Sequence, residues 1–201
     1  MILKKQKILF IHIKKTGGTS VEKVFQEKFP DISIKSKNHL VMTDYISKLG
    51  EPEIDKYYSF TIIRNPWDRI TSLYFMRRGK RGNPSHFQKW VLRLDKHRYV
   101  QQKHLTYRHQ YDWLSNKEGK LKVKEIIYFE KLKKGWDKVC KDLGFKKFSL
   151  PHKNKSRNSR INFNYSSMYK LPNGKWNDKA IERVRFFNHK DCSHFGYDFP
   201  Y

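Results

Sequence analysis

The sequence predicts a single-domain α/β protein in which a central parallel sheet is flanked by helices. Short unbroken apolar runs, residues 8–13 and 60–63, are typical of parallel strands whose two faces are both covered. A stretch with apolar residues at helical spacing follows each run, so strands and helices alternate along the chain. The length of 201 residues suits one domain, residues 1–201, with a sizeable core.

The elements follow in a regular order. The predicted strands are residues 7–13, 59–64 and 125–129. The predicted helices are residues 19–29, 66–78, 84–96, 132–143 and a last one that begins at Asn177. Pro66 and Pro84 fit the first position of a helix, and Gly144 is a natural left-handed C-cap. A hairpin at 116–119 precedes the third strand, residues 38–50 have a mixed pattern, and residues 149–175 indicate a loop.

The chain is strongly basic. It has 44 Lys and Arg against 19 Asp and Glu, which gives a formal charge of +25. Such an excess indicates polyanionic partners or ligands, and it is equally well explained by lysines on solvated faces. The two cysteines cannot form a disulfide framework or a zinc site, and we expect no metal and a buried thiol at Cys140. The first apolar run is too short for a signal peptide or a membrane span, so we expect a soluble, cytoplasmic protein.

The first candidate site follows the first strand, where the chain reads KKTGGTS over residues 14–20. Gly17 and Gly18 allow backbone amides to approach a ligand closely, and Thr19 or Ser20 could cap the next helix. The free N–H groups at a helix start favour an anion, and the two lysines add charge. These features predict a phosphate-binding loop, with an ordinary strand–turn–helix as the alternative. The patterns GxxxxGK[ST] and GxGxxG are both missing, which disfavours a standard ATP, GTP or dinucleotide site.

The second candidate site follows the second strand, at the edge where open α/β sheets bind ligands. Arg64 ends that strand and can bind a phosphate through its fork of donors. In the next helix, Trp67 and Leu73 belong to an apolar face, whereas Ser72 falls on the opposite face and can donate a hydrogen bond. The alternative is a surface arginine and an incidental helix serine.

Together the two segments resemble the sulfotransferases that use 3′-phosphoadenosine 5′-phosphosulfate (PAPS). KKTGGTS is similar to that family's 5′-phosphosulfate loop, PKTGGTS, with Lys14 in place of Pro. RNPWDRITS is similar to its 3′-phosphate motif, in which Arg and Ser stand eight positions apart, as Arg64 and Ser72 do. Residues 112–132, 150–156 and 194–199 are similar to segments of the carbohydrate branch, which contains heparan and chondroitin sulfotransferases.

The resemblance implies a P-loop-like sulfotransferase fold and a role for each motif residue. Lys15 would neutralise charge on the leaving phosphate as a catalytic residue, with Lys14 as a helper. The donor-binding residues would be Lys14, Lys15, Thr16, Gly17, Gly18, Thr19, Ser20, Arg64, Ser72, Lys155 and Ser156. PAPS would be the sulfuryl donor, 3′,5′-ADP the product and a hydroxyl, expected on a glycan, the acceptor.

The base that deprotonates the acceptor is open between two residues. His39 lies between the phosphate motifs, where carbohydrate 2-O-sulfotransferases place a histidine, and a histidine pKa near 6.5 suits this task. Its alternative is a surface histidine in a polar turn. Glu22 near the start of the loop helix is the second candidate base, with an acid that complements the helix dipole as its alternative. His12 in the first strand is expected to be structural.

Two rival classes of function remain at this point. A phosphotransferase would share the phosphate loop, but it requires a Walker lysine and magnesium ligands that the sequence does not offer. A nucleic-acid-binding module would explain the charge, but the chain has no helix-turn-helix, RNA-recognition or zinc-finger pattern. The sequence indicates neither an oligomeric state nor a particular acceptor.

Overall fold

The structure is a computed structural model that describes residues 1–29, 39–78, 83–97, 100, 104–145, 150 and 165–201. Its strands are β1 (Ile2–Leu3), β2 (Ile8–Ile11), β3 (Tyr58–Ile63) and β4 (Glu125–Tyr128). Its helices are α1 (Gly18–Lys28), α2 (Met42–Leu49), α3 (Glu51–Ile54), α4 (Pro66–Arg78), α5 (Pro84–Leu92), α6 (Gln110–Leu114), α7 (Leu132–Asp142), α8 (Asp178–Phe187) and α9 (His189–Phe195). None of these helices is both long and apolar enough to cross a membrane.

The chain forms two compact units, of which the first comprises Met1–Arg64 and Gln110–Asn154. This unit contains the sheet, in the order β1-β2-β3-β4. β3 pairs in parallel with both β2 and β4, and β1 pairs antiparallel with β2. Its core joins strand residues such as Phe60 to Phe25 of α1 and Trp136 of α7. Every residue of β2 is buried, as expected for a parallel strand whose two faces are both covered.

The second unit comprises Asn65–His109 and Lys155–Tyr201. Its described helices α4, α5 and α8 share an apolar core that includes Trp67, Phe87 and Val184. Trp67 is fixed further by its indole N–H, which donates to the Ile181 carbonyl oxygen at 3.0 Å. The apolar face predicted for α4 is confirmed, since Trp67, Ile70, Leu73 and Tyr74 all belong to this core.

The predicted fold class, an α/β protein with a mostly parallel sheet, is confirmed, and several boundaries differ. The first strand spans only Ile8–Ile11, because the chain beyond it leaves the sheet to form a turn. The antiparallel β1 is two residues long and has no periodic signal of its own. The helix that starts at Pro84 ends at Leu92, with a 3₁₀ turn to Lys96, and α9 was not predicted. One domain over residues 1–201 stays a prediction.

Candidate active site

The carboxyl ends of the three parallel strands meet at one edge of the first unit, and the candidate site is built there. β2 pairs with β3 up to Ile11 and Thr61, and β3 pairs with β4 up to Ile63 and Tyr128. The residues that follow these strand ends are His12, Arg64 and Phe129. Two of the strand ends carry basic loop residues, so this edge is suited to an anion.

A tight turn over residues 14–17 connects β2 to α1. Lys15 and Gly17 both have left-handed backbone conformations, with φ of 71° and 86°. Thr16 is fully buried, and its hydroxyl donates to the Ile13 carbonyl oxygen at 2.8 Å, so this side chain closes the turn. Gly17 is the N-cap of α1, which makes the prediction that Thr19 or Ser20 caps the helix wrong. Both residues lie inside the first turn, because the helix begins one residue earlier than predicted.

The two glycines are required by close packing within the loop. A Cβ on Gly18 would overlap the imidazole of His12, which lies against the start of α1. A Cβ on Gly17 would lie 3.0 Å from the ring of Phe129, and the left-handed φ independently favours glycine there. The backbone of the loop is therefore held between the residues that follow β2 and β4.

Lys15 and Arg64 bring two positive charges to this edge. The Arg64 guanidinium donates from Nη1 to the Lys15 carbonyl oxygen at 3.4 Å, and it lies 4.5 Å from the Phe129 ring centroid. Burial lowers the pKa of Lys15 from its ordinary value, and the positive charge of Arg64 lowers it further. Two cations held this closely favour an anionic ligand, which would offset their mutual repulsion. The first turn of α1 carries no acidic residue that would repel such an anion.

His39, the first candidate base, contacts the residue that follows β2. Its Nδ1 lies 3.1 Å from the His12 carbonyl oxygen, and its ring packs against the buried ring of Trp113 with a centroid distance of 6.3 Å. A carbonyl oxygen only accepts, so Nδ1 carries the proton and Nε2 of the neutral ring carries the lone pair. Desolvation is the main cause that lowers the pKa of His39 below the ordinary 6.5, which favours this neutral form at pH 7.

Glu22, the second candidate base, forms a buried contact with His12. Its Oε1 lies 2.8 Å from Nδ1 of His12, and both residues are buried. This contact gives the carboxylate a specific internal partner, in place of the general interaction with the helix dipole that the sequence suggested. His12 in turn contacts Gly18 with its ring and His39 with its carbonyl oxygen, so it connects the loop to the candidate base.

The remaining predicted site residues are not all described. Ser72 lies on α4 in the second unit and is 9% exposed, although the sequence placed it opposite the apolar face. Lys155 and Ser156 lie outside the described residues. Lys14 is half-buried in the turn and Thr19 is exposed on α1. In the described part of the chain, no group of three or more His, Cys, Asp and Glu side chains could hold a metal ion.

Two residues of this edge were missed by sequence reasoning. Phe129 was assigned to the end of the third strand, although the rule that ligands bind beyond strand ends could have singled it out. Gln110 is fully buried and contacts the backbone of Arg64. No sequence signal pointed to this contact, because Gln110 lies 46 positions from Arg64 in a stretch with poor helical periodicity.

A parallel α/β unit with a Gly-Gly turn and paired cations at its strand ends is suited to binding a phosphate ester. The family model described as "Sulfotransferase family" matches residues 1–198, and the chain belongs to this family of PAPS-dependent enzymes. Searches of curated proteins and of solved structures found no match to the chain. The match confirms the family and leaves its branch unspecified.

Proposed function

We propose that this protein transfers the sulfuryl group of PAPS to a carbohydrate hydroxyl by in-line displacement. The observation that carries the proposal is the contact between Arg64 and the Lys15 carbonyl oxygen, which puts two cations beside the start of α1. Membership of the sulfotransferase family implies PAPS as the donor. The Gly-Gly turn, the N-terminal amides of α1 and the two cations form a donor set that fits its anionic groups.

Each residue has a defined task in this reaction. PAPS supplies an activated sulfuryl group, whose bond from sulfur to the phosphate oxygen breaks as the acceptor oxygen bonds to sulfur. Lys15 stabilises the negative charge that develops on the released phosphate oxygen, and the backbone amides of residues 16–20 hold the 5′-phosphate. Arg64 binds the 3′-phosphate through charged hydrogen bonds. The roles of Ser72, Lys155 and Ser156 in donor binding stay predictions from the motifs.

We assign the base to His39. Its Nδ1 donates to the His12 carbonyl oxygen, which leaves Nε2 as the atom that takes the proton of the acceptor hydroxyl. The lowered pKa of the ring supports this role, because the neutral form is the one that accepts a proton. Glu22 is the weaker candidate since its carboxylate already bonds to His12.

The carbohydrate acceptor is supported by sequence features. Residues 112–132, 150–156 and 194–199 resemble the carbohydrate branch of the family, and the charge of +25 favours an acidic chain as acceptor. A screen of acceptors with sulfur-labelled PAPS should include desulfated polysaccharides, glycolipids, small phenols and tyrosine peptides. Transfer to the polysaccharides is expected, and transfer to phenols or tyrosine alone would contradict the carbohydrate assignment. A cytoplasmic location stays a prediction.

The donor site is tested by calorimetry with 3′,5′-ADP, 5′-AMP and ATP in buffer that contains EDTA. We expect 3′,5′-ADP to bind most tightly, because Arg64 engages the 3′-phosphate that the other two nucleotides lack. Arg64→Ala should weaken 3′,5′-ADP by roughly 1.5–3 kcal/mol, which is about 10- to 150-fold in Kd, and leave 5′-AMP almost unchanged. In a separate titration without EDTA, tighter binding of ATP with magnesium than of 3′,5′-ADP would favour a phosphotransferase. Equal losses for both adenosine ligands in Arg64→Ala would remove Arg64 from the 3′-phosphate site.

A further inference from the structure

Gln110, the first residue of α6, makes an unusual pair of contacts with the main chain of Arg64. Its Oε1 accepts from the Arg64 N–H at 2.8 Å, and its Nε2 donates to the Arg64 carbonyl oxygen, also at 2.8 Å. The two residues are 46 positions apart in the chain and both are buried. One side-chain amide thus pairs with both polar groups of a single residue's backbone.

This pair continues the hydrogen bonding of β3 beyond its end. The register between β3 and β4 ends at Ile63 and Tyr128, so Arg64 is the first residue after the ladder. Buried N–H and C=O groups require partners, and a glutamine amide has the same donor and acceptor as a peptide. Gln110 therefore replaces a strand neighbour at the point where the chain leaves the sheet.

As a consequence, the backbone from which the Arg64 side chain extends is held in place. Its backbone is held by Gln110, while its guanidinium is held by the Lys15 carbonyl oxygen and the Phe129 ring. Gln110 is uncharged, so it fixes the arginine without an anion that would compete with a phosphate. An arginine whose position is set before binding loses less conformational entropy when the ligand arrives.

We propose that Gln110 is a positioning residue that pre-organises Arg64 for the 3′-phosphate of the donor. The proposal rests on the proposed function, because it assigns Arg64 to that phosphate. The two contacts of Gln110 are with the backbone of Arg64 and leave its guanidinium to the ligand. Its loss should therefore reduce the preference for 3′,5′-ADP over 5′-AMP and leave the 5′-phosphate loop unaffected.

The test compares Gln110→Met with Gln88→Met. Methionine has nearly the shape of glutamine and lacks the amide, so the substitution removes the contacts with little change in packing. Gln88 is the matched control because it is also buried and donates to main-chain carbonyls, those of Met168 and Lys170, all within the second unit. We expect Gln110→Met to lower the ratio of the two affinities at least about tenfold, and Gln88→Met to leave the ratio unchanged.

Two further measurements separate positioning from general damage. In an Arg64→Ala background, Gln110→Met should change the affinity ratio by less than about twofold, because the group that it positions is absent. Amide hydrogen exchange at Arg64, followed by NMR without nucleotide, should be slow in the wild type and fast in Gln110→Met. If the methionine variant does not fold, Gln110→Glu keeps the oxygen that accepts from the Arg64 N–H and should give a smaller loss of the same ratio.

The outcomes separate the positioning role of Gln110 from the assignment of Arg64 to the 3′-phosphate. Equal weakening of both nucleotides, or an equal effect of the Gln88 and Gln110 variants, would overturn the positioning role. Slow exchange that persists in Gln110→Met would also overturn it. Exchange could behave as expected while the wild type shows no preference for 3′,5′-ADP. Gln110 would then hold the Arg64 backbone, but the assignment of Arg64 to the 3′-phosphate would fail. The proposed pre-organisation for that phosphate would fail with it.

Discussion

Replacing His39 by Ala should lower kcat by about 10²–10⁴-fold, because the acceptor hydroxyl loses its base. This range corresponds to about 2.7–5.4 kcal/mol in the activation barrier. Binding of 3′,5′-ADP should hardly change, since the assigned contacts of the nucleotide are with the loop and Arg64. The alanine variant removes one hydrogen bond to the His12 carbonyl oxygen, so its fold is checked by thermal unfolding.

Glu22→Gln is the variant that decides between the two candidate bases. The amide oxygen of glutamine can still accept from Nδ1 of His12, whose present distance to Glu22 is 2.8 Å. The exchange of a charged acceptor for a neutral one costs about 1 kcal/mol. If Glu22 only holds His12, turnover should fall by at most about fivefold, the value if this whole cost appeared in the activation barrier. If Glu22 is the base, the glutamine variant should lose at least about 10²-fold.

The assay is kcat as a function of pH, with PAPS and the acceptor identified by the labelled screen. A histidine base is active in its neutral form, and burial lowers the pKa of His39, so under the proposed role the wild-type rate should stay high at pH 7 and fall on acidification below pH 6.5. This acid limb should be absent from His39→Ala and present in Glu22→Gln. A His39→Ala enzyme that keeps both its rate and its acid limb, together with an inactive Glu22→Gln enzyme, would refute the assignment.

Three further predictions concern the loop. Lys15→Ala should reduce kcat strongly while the protein stays folded, and near-normal turnover would contradict the catalytic role of Lys15. Lys14→Ala should have a milder effect, because the family motif has Pro at that position. The pKa of Lys15 is lowered by burial and by Arg64, so the rate should fall on the alkaline side below pH 10.5 as the ammonium deprotonates, and Lys15→Arg should shift that limb upwards. Gly18→Ala should destabilise the fold by about 1–3 kcal/mol through overlap with His12, measured by urea unfolding. Gly119→Ala is the comparison for backbone strain alone, because Gly119 has a φ of 78° and open space around it.

The strand ends and the loop chemistry could be predicted because their signals are local. The apolar runs identify the buried strands, and the rule for open α/β sheets then places Lys15 and Arg64 at the edge where ligands bind. Helix α4 has the predicted bounds, since Pro66 fits the first helical position and the apolar spacing continues to Arg78. The two basic motifs were therefore found without knowledge of their contacts.

The interactions that position these residues could not be predicted, because each joins distant parts of the chain. His39 and His12 are 27 positions apart, and no periodic pattern relates them. Gln110 lies in a segment with poor helical spacing, and a buried glutamine has the same sequence appearance as an exposed one. The role of Gly18 was assigned to ligand approach, whereas its neighbour in the structure is the His12 imidazole.

The contacts of His12 suggest why the loop and the candidate base belong to one site. Its ring lies against Gly18, its Nδ1 contacts Glu22 on α1, and its carbonyl oxygen accepts from His39. Because the same residue limits the position of the loop and selects the tautomer of the base, a shift of one would be transmitted to the other. In sulfuryl transfer the loop holds the donor and the base activates the acceptor, and the two must be aligned for in-line attack. Substitutions at His12 should therefore affect donor binding and the acid limb of kcat together, whereas His39→Ala affects the second alone.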